Sequence, residues 1–471
     1  MASEILQLSQ LISNSVTELV KLASTRNFQI PSLDEKFTPS SEAFRKDPDL
    51  ARSAKVIAAA AFQLAASVLP PTESIIQTIS GHFKSAALRT SIDCHVAEIL
   101  RDAGPEGMHI DTIARKTGVH NSKLARLLRL LANRHIFREV RPDYFVNNRI
   151  SGLLDTGKSV DEILKNPKEK HEGTTGFVSI AQHILSDGHK GSSYISENMM
   201  DPVTGFSGEP NHAPFQRGRR TGKSYFDWYT EPEQDYERHR FGIAMRGTTA
   251  MIPPNLVLEL FDWSTLPANS LVVDVGGGIG FSCRTILGAH PQLRCVVQDI
   301  PRIVEDGTKH WQRENPEALA SGRMSFQAHD FFTPQPITDA SVFFMKSIVH
   351  DWSEPYITKI LTHLRAAARP DTKLVVCDVV MTYSCREPSQ STTGDIVVAE
   401  DPVLVAPELL KTGFNSVNDM VWTLDAAMLV FHNTQEHTLP QMNQLFTKCG
   451  WKIVKVVKKG SSLDGVHAVP I

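Results

Sequence analysis

The sequence lacks an excess of positive charge. Its 49 lysines and arginines are balanced by 52 acidic residues, which leaves a formal net charge of −3. Such a chain has no broad positive potential with which to attract a polyanion. This balance disfavours nucleic acid as the main ligand.

The sequence also lacks paired cysteines. Its six cysteines follow no CxxC spacing, and several lie within apolar, strand-like runs. Thiols of this kind are typical of a reducing compartment, where they pack as small apolar side chains. We therefore expect a cytoplasmic protein.

Long uninterrupted apolar runs are absent as well. The longest, residues 56–69, contains Gln63 and stops at Pro70, short of the length that a bilayer requires. Residues 1–24 have apolar side chains at helical spacing, but charges interrupt them, unlike in a signal peptide. We expect no membrane association and predict that residues 1–84 form a helical extension, with the apolar run buried or at a dimer interface.

The 471 residues are enough for more than one domain. Residues 93–150 have three helical segments followed by a hairpin-like pattern, which predicts a winged helix-turn-helix unit within a domain spanning 85–224. The candidate recognition helix, 121–134, carries a dense stripe of leucines. Core packing explains that stripe better than DNA reading, because a fold alone does not fix function.

Two segments interrupt these patterns. Residues 186–222 are rich in Gly, Ser, Pro, Asn and His, which predicts a long loop or insertion. The arginine-rich run 217–220 is interpreted as part of a solvated loop, since no glycine-rich phosphate cradle adjoins it. Residues 384–412, rich in Ser, Thr, Pro and acidic residues, predict a second insertion.

From residue 270 onward, short β-rich runs alternate with helical segments, and a helical pattern precedes them at 225–261. This alternation predicts an α/β fold with a doubly wound, Rossmann-like sheet. We therefore predict a C-terminal domain spanning 225–471, behind the mostly helical, winged-helix-like N-terminal part.

A glycine loop follows the first of these strands. Asp274 ends the strand, and glycines occupy positions 276, 278 and 280. A dinucleotide-binding loop would have a glycine at 281, where this chain has Phe281. The acid-x-G-x-G-x-G spacing matches instead the loop that holds the amino-acid part of S-adenosylmethionine, so Asp274, Gly276 and Gly278 are candidate cofactor-binding residues.

Two acids follow the next strands. Asp299 lies 21 residues beyond Gly278, where a carboxylate at a strand tip can accept hydrogen bonds from both ribose hydroxyls. The alternative is that Asp299 caps the following helix, since Pro301 suits a first helical turn. Asp330 and Phe331 follow the third strand and are candidates for binding the adenine amino group and covering its face.

His350 falls near the carboxyl end of the fourth strand, on the same edge as the glycine loop. A phenol has a pKa of about 10, so a neutral imidazole can take its proton as the oxygen attacks a methyl carbon. A lone histidine at a strand end is more often structural. The sequence motif that surrounds His350 decides between these two interpretations.

The motifs DVGGGIG, QDIPRIVEDG, HDFF and MKSIVHDWSE, with the winged-helix-like region before them, resemble the plant caffeate and flavonoid O-methyltransferases and the related fungal enzymes of secondary metabolism. The resemblance extends from about residue 85 to the C-terminus. It implies an N-terminal domain that forms a homodimer and closes over the partner's acceptor pocket, and a C-terminal domain that binds S-adenosylmethionine.

The resemblance also assigns residues. It implies cofactor contacts from Lys346 in addition to the loop and strand-end residues, and it makes His350 the base. Two acids would orient that base: Asp378, at the end of the next strand, and Glu436, where the family's Glu-Arg-Thr becomes Glu-His-Thr. Because His437 departs from the family pattern, Glu436 is the weaker of the two assignments. Either acid could hold the imidazole in the tautomer that leaves one nitrogen free.

The family lines its acceptor pocket from two helices, one before the glycine loop and one before the second acid. The corresponding candidates for a small aromatic substrate are Phe241, Met245, Trp422, Met428 and Phe431. Simple core packing is an equally good interpretation of each.

Two other functions remain open. A winged-helix regulator or scaffold could keep the cofactor fold without catalysis, although it would be expected to lose the base or the loop. An enzyme of the same fold could methylate nitrogen or a carboxylate, or use the sulfonium only as an electrostatic aid to a rearrangement. A base is unnecessary for a carboxylate acceptor, so His350 favours a weakly acidic hydroxyl. We expect no metal requirement.

Overall fold

The structure is a computed structural model that describes residues 3–386, 395–401, 405–460 and 463–471. The chain has a mostly helical N-terminal half and a C-terminal half built on one large sheet. The helices of the N-terminal half are α1 (Ser3–Thr25), α2 (Pro48–Val68), α3 (Pro71–Ile79), α4 (Gly81–Asp93), α5 (Val96–Leu100), α6 (Ile110–Thr117), α7 (Asn121–Ala132), α8 (Val160–Lys165), α9 (Phe177–His183), α10 (His189–Ser192), α11 (Ile195–Met200), α12 (Pro214–Arg219), α13 (Tyr225–Trp228), α14 (Asp235–Met251) and α15 (Leu256–Leu260).

The first two helices pack on each other and on a distant part of the chain. Val56 and Ala60 of α2 share a buried cluster with Ala406 and Phe414, so the N-terminal extension covers part of the C-terminal half. No single described helix has both the length and the apolar composition needed to cross a bilayer. Pro48–Val68 and Pro71–Ile79 meet that criterion only as a pair, across a bend of 117°.

A small sheet accompanies α6 and α7. Strands β1 (Met108–His109), β2 (Arg138–Arg141) and β3 (Tyr144–Val146) are antiparallel in the order β1-β3-β2. Leu124, Leu128 and Leu131 of α7 are buried in the core of this unit. The leucine stripe therefore packs internally, as the sequence interpretation preferred.

The prediction of a long loop at residues 186–222 is wrong. A π-helical turn, Ile184–Gly188, continues α9, and helices α10, α11 and α12 follow it. A Cβ on Gly191 would lie 2.7 Å from Val430 Cγ1, and one on Gly218 would lie 2.7 Å from the Lys190 backbone. The glycines that indicated a loop are there because helices cross closely at these points.

The interpretation of the arginine run as solvated is also wrong for Arg219. Its side chain is largely buried and pairs with Asp187, which is fully buried. Arg240 lies 3.1 Å from the same carboxylate. Burial without a partner would be costly for any of these charges, so the three form one buried ionic cluster.

The C-terminal half is built on a mixed, eight-stranded sheet. Its strands are β4 (Leu271–Val275), β5 (Arg294–Asp299), β6 (Met324–Ala328), β7 (Val342–Lys346), β8 (Lys373–Asp378), β10 (Val397–Glu400), β12 (Trp451–Lys458) and β13 (Asp464–Pro470), and the short strands β9 (Val380–Met381) and β11 (His437–Thr438) pair separately. The order across the large sheet is β10-β12-β13-β8-β7-β4-β5-β6. Strands β4 to β8 are parallel to one another, whereas β13 is antiparallel to both β8 and β12.

Helices cover both faces of this sheet, as the predicted fold class requires. Every residue of β4 is buried and all but Asp274 are apolar, as is typical of a strand covered on both faces. The helices are α16 (Phe281–Ala289), α17 (Pro301–Glu314), α18 (Pro316–Ala320), α19 (Glu354–Ala367), α20 (Asp419–His432) and α21 (Leu439–Lys448). The connections reverse direction between β4 and β7, so a crevice is expected at the carboxyl ends of these two strands.

Part of the second predicted insertion, 384–412, lies outside the described residues, namely 387–394 and 402–404. Of the remainder, Val397–Glu400 forms the edge strand β10, parallel to β12. Residues 406–414 contribute to the cluster beneath α1 and α2. The described parts therefore join the sheet edge to the N-terminal extension.

Candidate active site

The sequence-predicted residues gather at the carboxyl edge of the central strands. The glycine loop follows β4, Asp299 ends β5, Lys346 ends β7 and Asp378 ends β8. His350 lies on a short 3-10 turn, Val349–Asp351, directly after β7. One rim of the sheet thus carries all of these groups, as predicted.

The glycine loop is shaped by left-handed backbone. Gly276 and Gly278 have φ values of 69° and 60°. A Cβ on Gly276 would lie 2.6 Å from Ile348 Cδ1, whereas no described atom lies within 4 Å of a Cβ built on Gly278. The loop is therefore packed against Ile348 at Gly276 and open beside Gly278, which fits a ligand that lies across the backbone.

Asp299 closes this loop from the next strand. Its Oδ2 accepts the N–H of Gly278 at 2.9 Å, and its Oδ1 accepts the N–H of Ile300 at 2.8 Å. Ile300 is the N-cap residue of α17, and the first turn of that helix receives no side-chain cap. Asp299 therefore bonds the glycine loop and the residue next to it, and it does not cap the helix. Each carboxylate oxygen has a second lone pair with which to accept a ligand hydroxyl.

Asp274 is buried beneath the same loop. It accepts a hydrogen bond from the thiol of Cys283 at 3.4 Å. Burial raises the pKa of Asp274 to about 7, although the thiol and the charge of Lys346 act in the opposite direction. Lys346 is therefore close enough to influence the carboxyl group from which the loop starts.

The adenine candidates differ in their surroundings. Phe331 packs edge-on against Trp352, with ring centroids 5.8 Å apart, and its ring lies beside Gly276. The exposed Asp330 accepts the backbone N–H of Phe332 at 2.9 Å. Phe331 thus borders the loop, while the carboxylate of Asp330 is engaged within its own turn.

His350 is held from both its ring and its backbone. Nδ1 lies 2.7 Å from Glu436 Oε1, and the hydroxyl of Thr434 donates to the carbonyl of His350 at 2.5 Å. Asp378 is fully buried, and its Oδ2 accepts the backbone N–H of Val349 at 3.0 Å. The weaker of the two acid assignments, Glu436, is therefore the one that bonds the imidazole, whereas Asp378 holds the turn that carries it.

A short parallel pairing brings these acids together. β9 pairs with β11, so His437 lies opposite Val380 and the preceding Glu436 comes close to Asp378. The N–H of Glu436 also donates to Asp425 of α20 at 2.7 Å. Sequence reasoning did not identify Asp425, since nothing in the pattern of α20 distinguishes it from an exposed helical acid.

The charge environment of His350 is strongly negative. Burial by itself would lower the pKa of the imidazole, but the carboxylates of Asp351, Asp378 and Glu436 outweigh that effect and raise it to about 10. Burial raises the pKa of Asp378 to about 7. The surrounding carboxylates therefore favour the protonated form of the ligand-free imidazole, whereas the sequence argument assumed a neutral ring.

The acceptor-pocket candidates fall into two groups. Phe431 stacks on His183 with centroids 5.1 Å apart, and Phe241 stacks on Tyr229 at 4.9 Å. Both belong to one aromatic cluster. Met428 is buried and Trp422 packs against the sheet core, while Met245 is 37% exposed.

Three residues near His350 were not identified from sequence. The carboxylate of Asp351 lies 3.6 Å from Nε2 of His350 and 3.5 Å from Nε2 of His432. Phe226 is partly exposed, and its ring lies 4.9 Å from that of His432. Asp351 could have been found as the neighbour of the base, but His432 lies on a helix with a core-like pattern.

Known protein families match the chain in two regions. The O-methyltransferase domain matches residues 206–403, and the O-methyltransferase dimerisation domain matches residues 76–156. Among curated proteins, 4-O-methyltransferase 1 of Phanerochaete chrysosporium is 39% identical, and the alignment covers 100% of each chain.

Two solved structures show the same fold. The mitomycin 7-O-methyltransferase is 22% identical, with a TM-score of 0.62 over 87% of this chain and 99% of that one. A structure titled "A Pericyclic Reaction enzyme" is 17% identical, with a TM-score of 0.65 over 98% of this chain and 100% of that one. At these identities the likeness concerns architecture alone.

The 39% identity to the Phanerochaete enzyme over the full length of both chains and the two domain matches confirm the predicted family. They also confirm the enzyme class and S-adenosylmethionine as the cofactor. The chain belongs to the S-adenosylmethionine-dependent O-methyltransferase family.

Proposed function

We propose that this enzyme methylates a phenolic hydroxyl group of a small aromatic molecule, with His350 as the general base. The observation that carries the proposal is the 2.7 Å contact between His350 Nδ1 and Glu436 Oε1 at the rim that also bears the glycine loop. A histidine held by a buried acid at this position is arranged to receive a proton.

The cofactor would be held by the loop and by the strand ends around it. Its methionine part would lie against Asp274, Gly276 and Gly278, and its ribose against Asp299. Phe331, Asp330 and Lys346 are proposed to border the remaining contacts. When bound, S-adenosylmethionine supplies a methyl group on a positively charged sulfur.

Glu436 is proposed to fix the tautomer of the base. Its carboxylate binds the Nδ1–H, which leaves Nε2 as the nitrogen that exchanges a proton with the acceptor hydroxyl. Asp378 orients the base by holding the backbone of its turn. The acids also stabilise the imidazolium that forms when the proton arrives.

The surrounding carboxylates raise the pKa of His350 and so bring it closer to that of a phenol. A proton shared between two groups of similar pKa moves at little cost in free energy. The pair formed by neutral imidazole and phenol has the same number of protons as the pair formed by imidazolium and phenolate. A carboxylate acceptor would not need such a group, which favours the weakly acidic hydroxyl.

The aromatic nature of the substrate is supported by the side chains near the base. Phe226, which is 37% exposed, packs on His432, and the ring of Trp352 contacts those of both Phe226 and Phe331. Met245 is equally exposed and is proposed to extend this surface. We infer that the acceptor ring contacts this apolar surface. Phe241, Trp422, Met428 and Phe431 would shape it from behind.

A homodimer is also proposed. The matched dimerisation domain begins at residue 76 and includes Ile76, Ile79 and Phe83, which are 52%, 63% and 61% exposed. Apolar side chains this exposed are typical of a protein–protein interface. A second copy of the chain would cover them.

The test is methyl transfer from labelled S-adenosylmethionine to a panel of simple phenols, with aniline and benzoate as the nitrogen and carboxylate controls. The wild type is expected to label phenols alone, and His350→Ala is expected to lose activity about 10²–10⁴-fold. Asp299→Ala should weaken cofactor binding, which His350→Ala should retain. Undiminished methylation by His350→Ala would remove this residue from the mechanism.

A further inference from the structure

A second histidine lies across a carboxylate from the proposed base. Asp351 Oδ1 is 3.6 Å from His350 Nε2 and 3.5 Å from His432 Nε2. Both separations exceed a formed hydrogen bond, so the carboxylate lies between two rings without being committed to either. Contacts of this kind in ligand-free sites commonly tighten when the substrate binds.

His432 is the fixed member of this arrangement. It is buried at the end of α20, and its ring packs against those of Tyr225, at 4.7 Å, and Phe226, at 4.9 Å. Burial lowers the pKa of His432 to about 4, although the charge of Asp351 acts in the opposite direction. A neutral ring carries one N–H, and a donor at Nε2 would face Asp351.

The position of Asp351 presents a problem for the proposed base. Because Glu436 holds Nδ1, Nε2 is the nitrogen that must meet the acceptor hydroxyl. Asp351 is the nearest carboxylate to that nitrogen, and closing the remaining distance would occupy it. Some other group must therefore draw the carboxylate away.

We propose that His432 is a positioning residue for His350: its Nε2–H draws Asp351 away from His350, and this keeps the Nε2 of His350 open to the acceptor hydroxyl. The inference rests on the proposed function of His350. It assigns the Asp351–His432 pair to control of the base and not to contact with the reacting atoms.

The charged groups around both rings determine how a change at His432 would reach the base. His350 is faced by Asp351 on its own turn, Asp378 on β8, and Glu436 and His432 from the region of α20. His432 is faced by Asp351, His350 and His183. Of these groups, Asp351 is the one within 4 Å of both rings, so a change at His432 should reach His350 through it.

Substitution of His432 tests the proposal through the pH profile of kcat/KM. His432→Phe keeps a ring and removes the donor, whereas His432→Gln can still donate from Nε2. We expect His432→Phe to raise the apparent pKa of the base by about one unit, so that kcat/KM falls about tenfold near neutral pH and the deficit closes at higher pH. His432→Gln should recover most of that loss.

Controls separate this effect from general damage. His467, on β13, shares a hydrogen bond with the carbonyl of Leu260 at 2.7 Å, so His467→Phe removes a histidine hydrogen bond that does not involve the groups around the base. It should leave the pH profile in place. In an Asp351→Asn background, His432→Phe should have no further effect, because the group through which it acts is gone.

The outcomes distinguish the inference from the proposed function. Full activity of His350→Gln would overturn both. An inactive His350→Gln combined with a wild-type profile for His432→Phe, or a deficit that is equal at every pH, would overturn only the role of His432. A titration of ¹³C-labelled histidine in the ligand-free protein tests the same coupling without an acceptor: the His350 signal should titrate higher in His432→Phe and lower in Asp351→Asn, and unchanged positions would contradict the proposal.

Discussion

The carboxylate of Asp378 accepts a hydrogen bond from the backbone N–H of Val349 at 3.0 Å, immediately before the proposed base. Ser347, at φ 55°, turns the chain out of β7, and its N–H donates to the carbonyl of Cys377. The two acids near His350 therefore make different contacts: Asp378 bonds the backbone of the turn, and Glu436 bonds the imidazole ring. Substitution should separate these roles.

Asp378→Asn should keep the acceptor for Val349 and remove the charge. Because the Asp378 carboxylate helps to raise the pKa of His350, its loss should lower that pKa and move the rise of kcat/KM to lower pH. kcat/KM is expected to rise with pH because His350 must lose a proton before it can accept one from the acceptor. A profile measured with a phenol acceptor checks the direction, and a shift to higher pH would contradict the charge argument. Asp378→Ala, which also frees the turn, should lose kcat at every pH.

The fold and the placement of most candidate site residues followed from local sequence patterns. The central strands are buried on both faces and therefore have uninterrupted apolar runs, and parallel strands bring their carboxyl ends to one rim. His350, Asp299 and the glycine loop were predictable because each is attached directly to such a strand. Their positions required only the order of elements.

The parts that failed depend on contacts between distant segments. Gly191 and Gly218 indicated a loop, but they allow helices to cross closely, which no local pattern distinguishes. Arg219 was interpreted as solvated because its partner, Asp187, is 32 residues away in the chain and lies on a π-helical turn. His432 reaches Asp351 only through the packing of α20 on the rim.

Gly278→Ala should weaken cofactor binding with little loss of fold. The left-handed φ of 60° costs an alanine about 1–2 kcal/mol, and the added methyl group would enter the open side of the loop. We expect the dissociation constant of S-adenosylmethionine, measured by calorimetry, to rise at least about tenfold. Gly288→Ala, in α16 with no described atom within 4 Å of the added carbon, is the matched control and should bind normally.

Asp274→Asn should stabilise the ligand-free protein, and more so at alkaline than at acidic pH. A carboxyl group whose pKa rises on folding, here to about 7, stabilises the fold while it is protonated and loses that contribution as the pH rises from its unfolded value of 3.8 through 7. The shift corresponds to at most about 4 kcal/mol. Denaturant unfolding at pH 5 and pH 8 checks the sign, and a variant less stable than the wild type at pH 8 would contradict it.

Asp187→Ala should destabilise the N-terminal side of the site. It would leave Arg219 and Arg240 buried beside each other without their shared carboxylate, and removing one partner of a buried ionic cluster costs about 3–5 kcal/mol. The loss should reach the active site, because Tyr229 and Tyr225 connect this cluster to the ring of His432. Thermal unfolding should show a large decrease in Tm, whereas Glu354→Ala, which breaks the exposed pair with Lys448, should leave Tm unchanged. If Asp187→Ala kept the wild-type Tm, the cluster would be solvated in the folded protein and its connection to His432 would carry no structural weight.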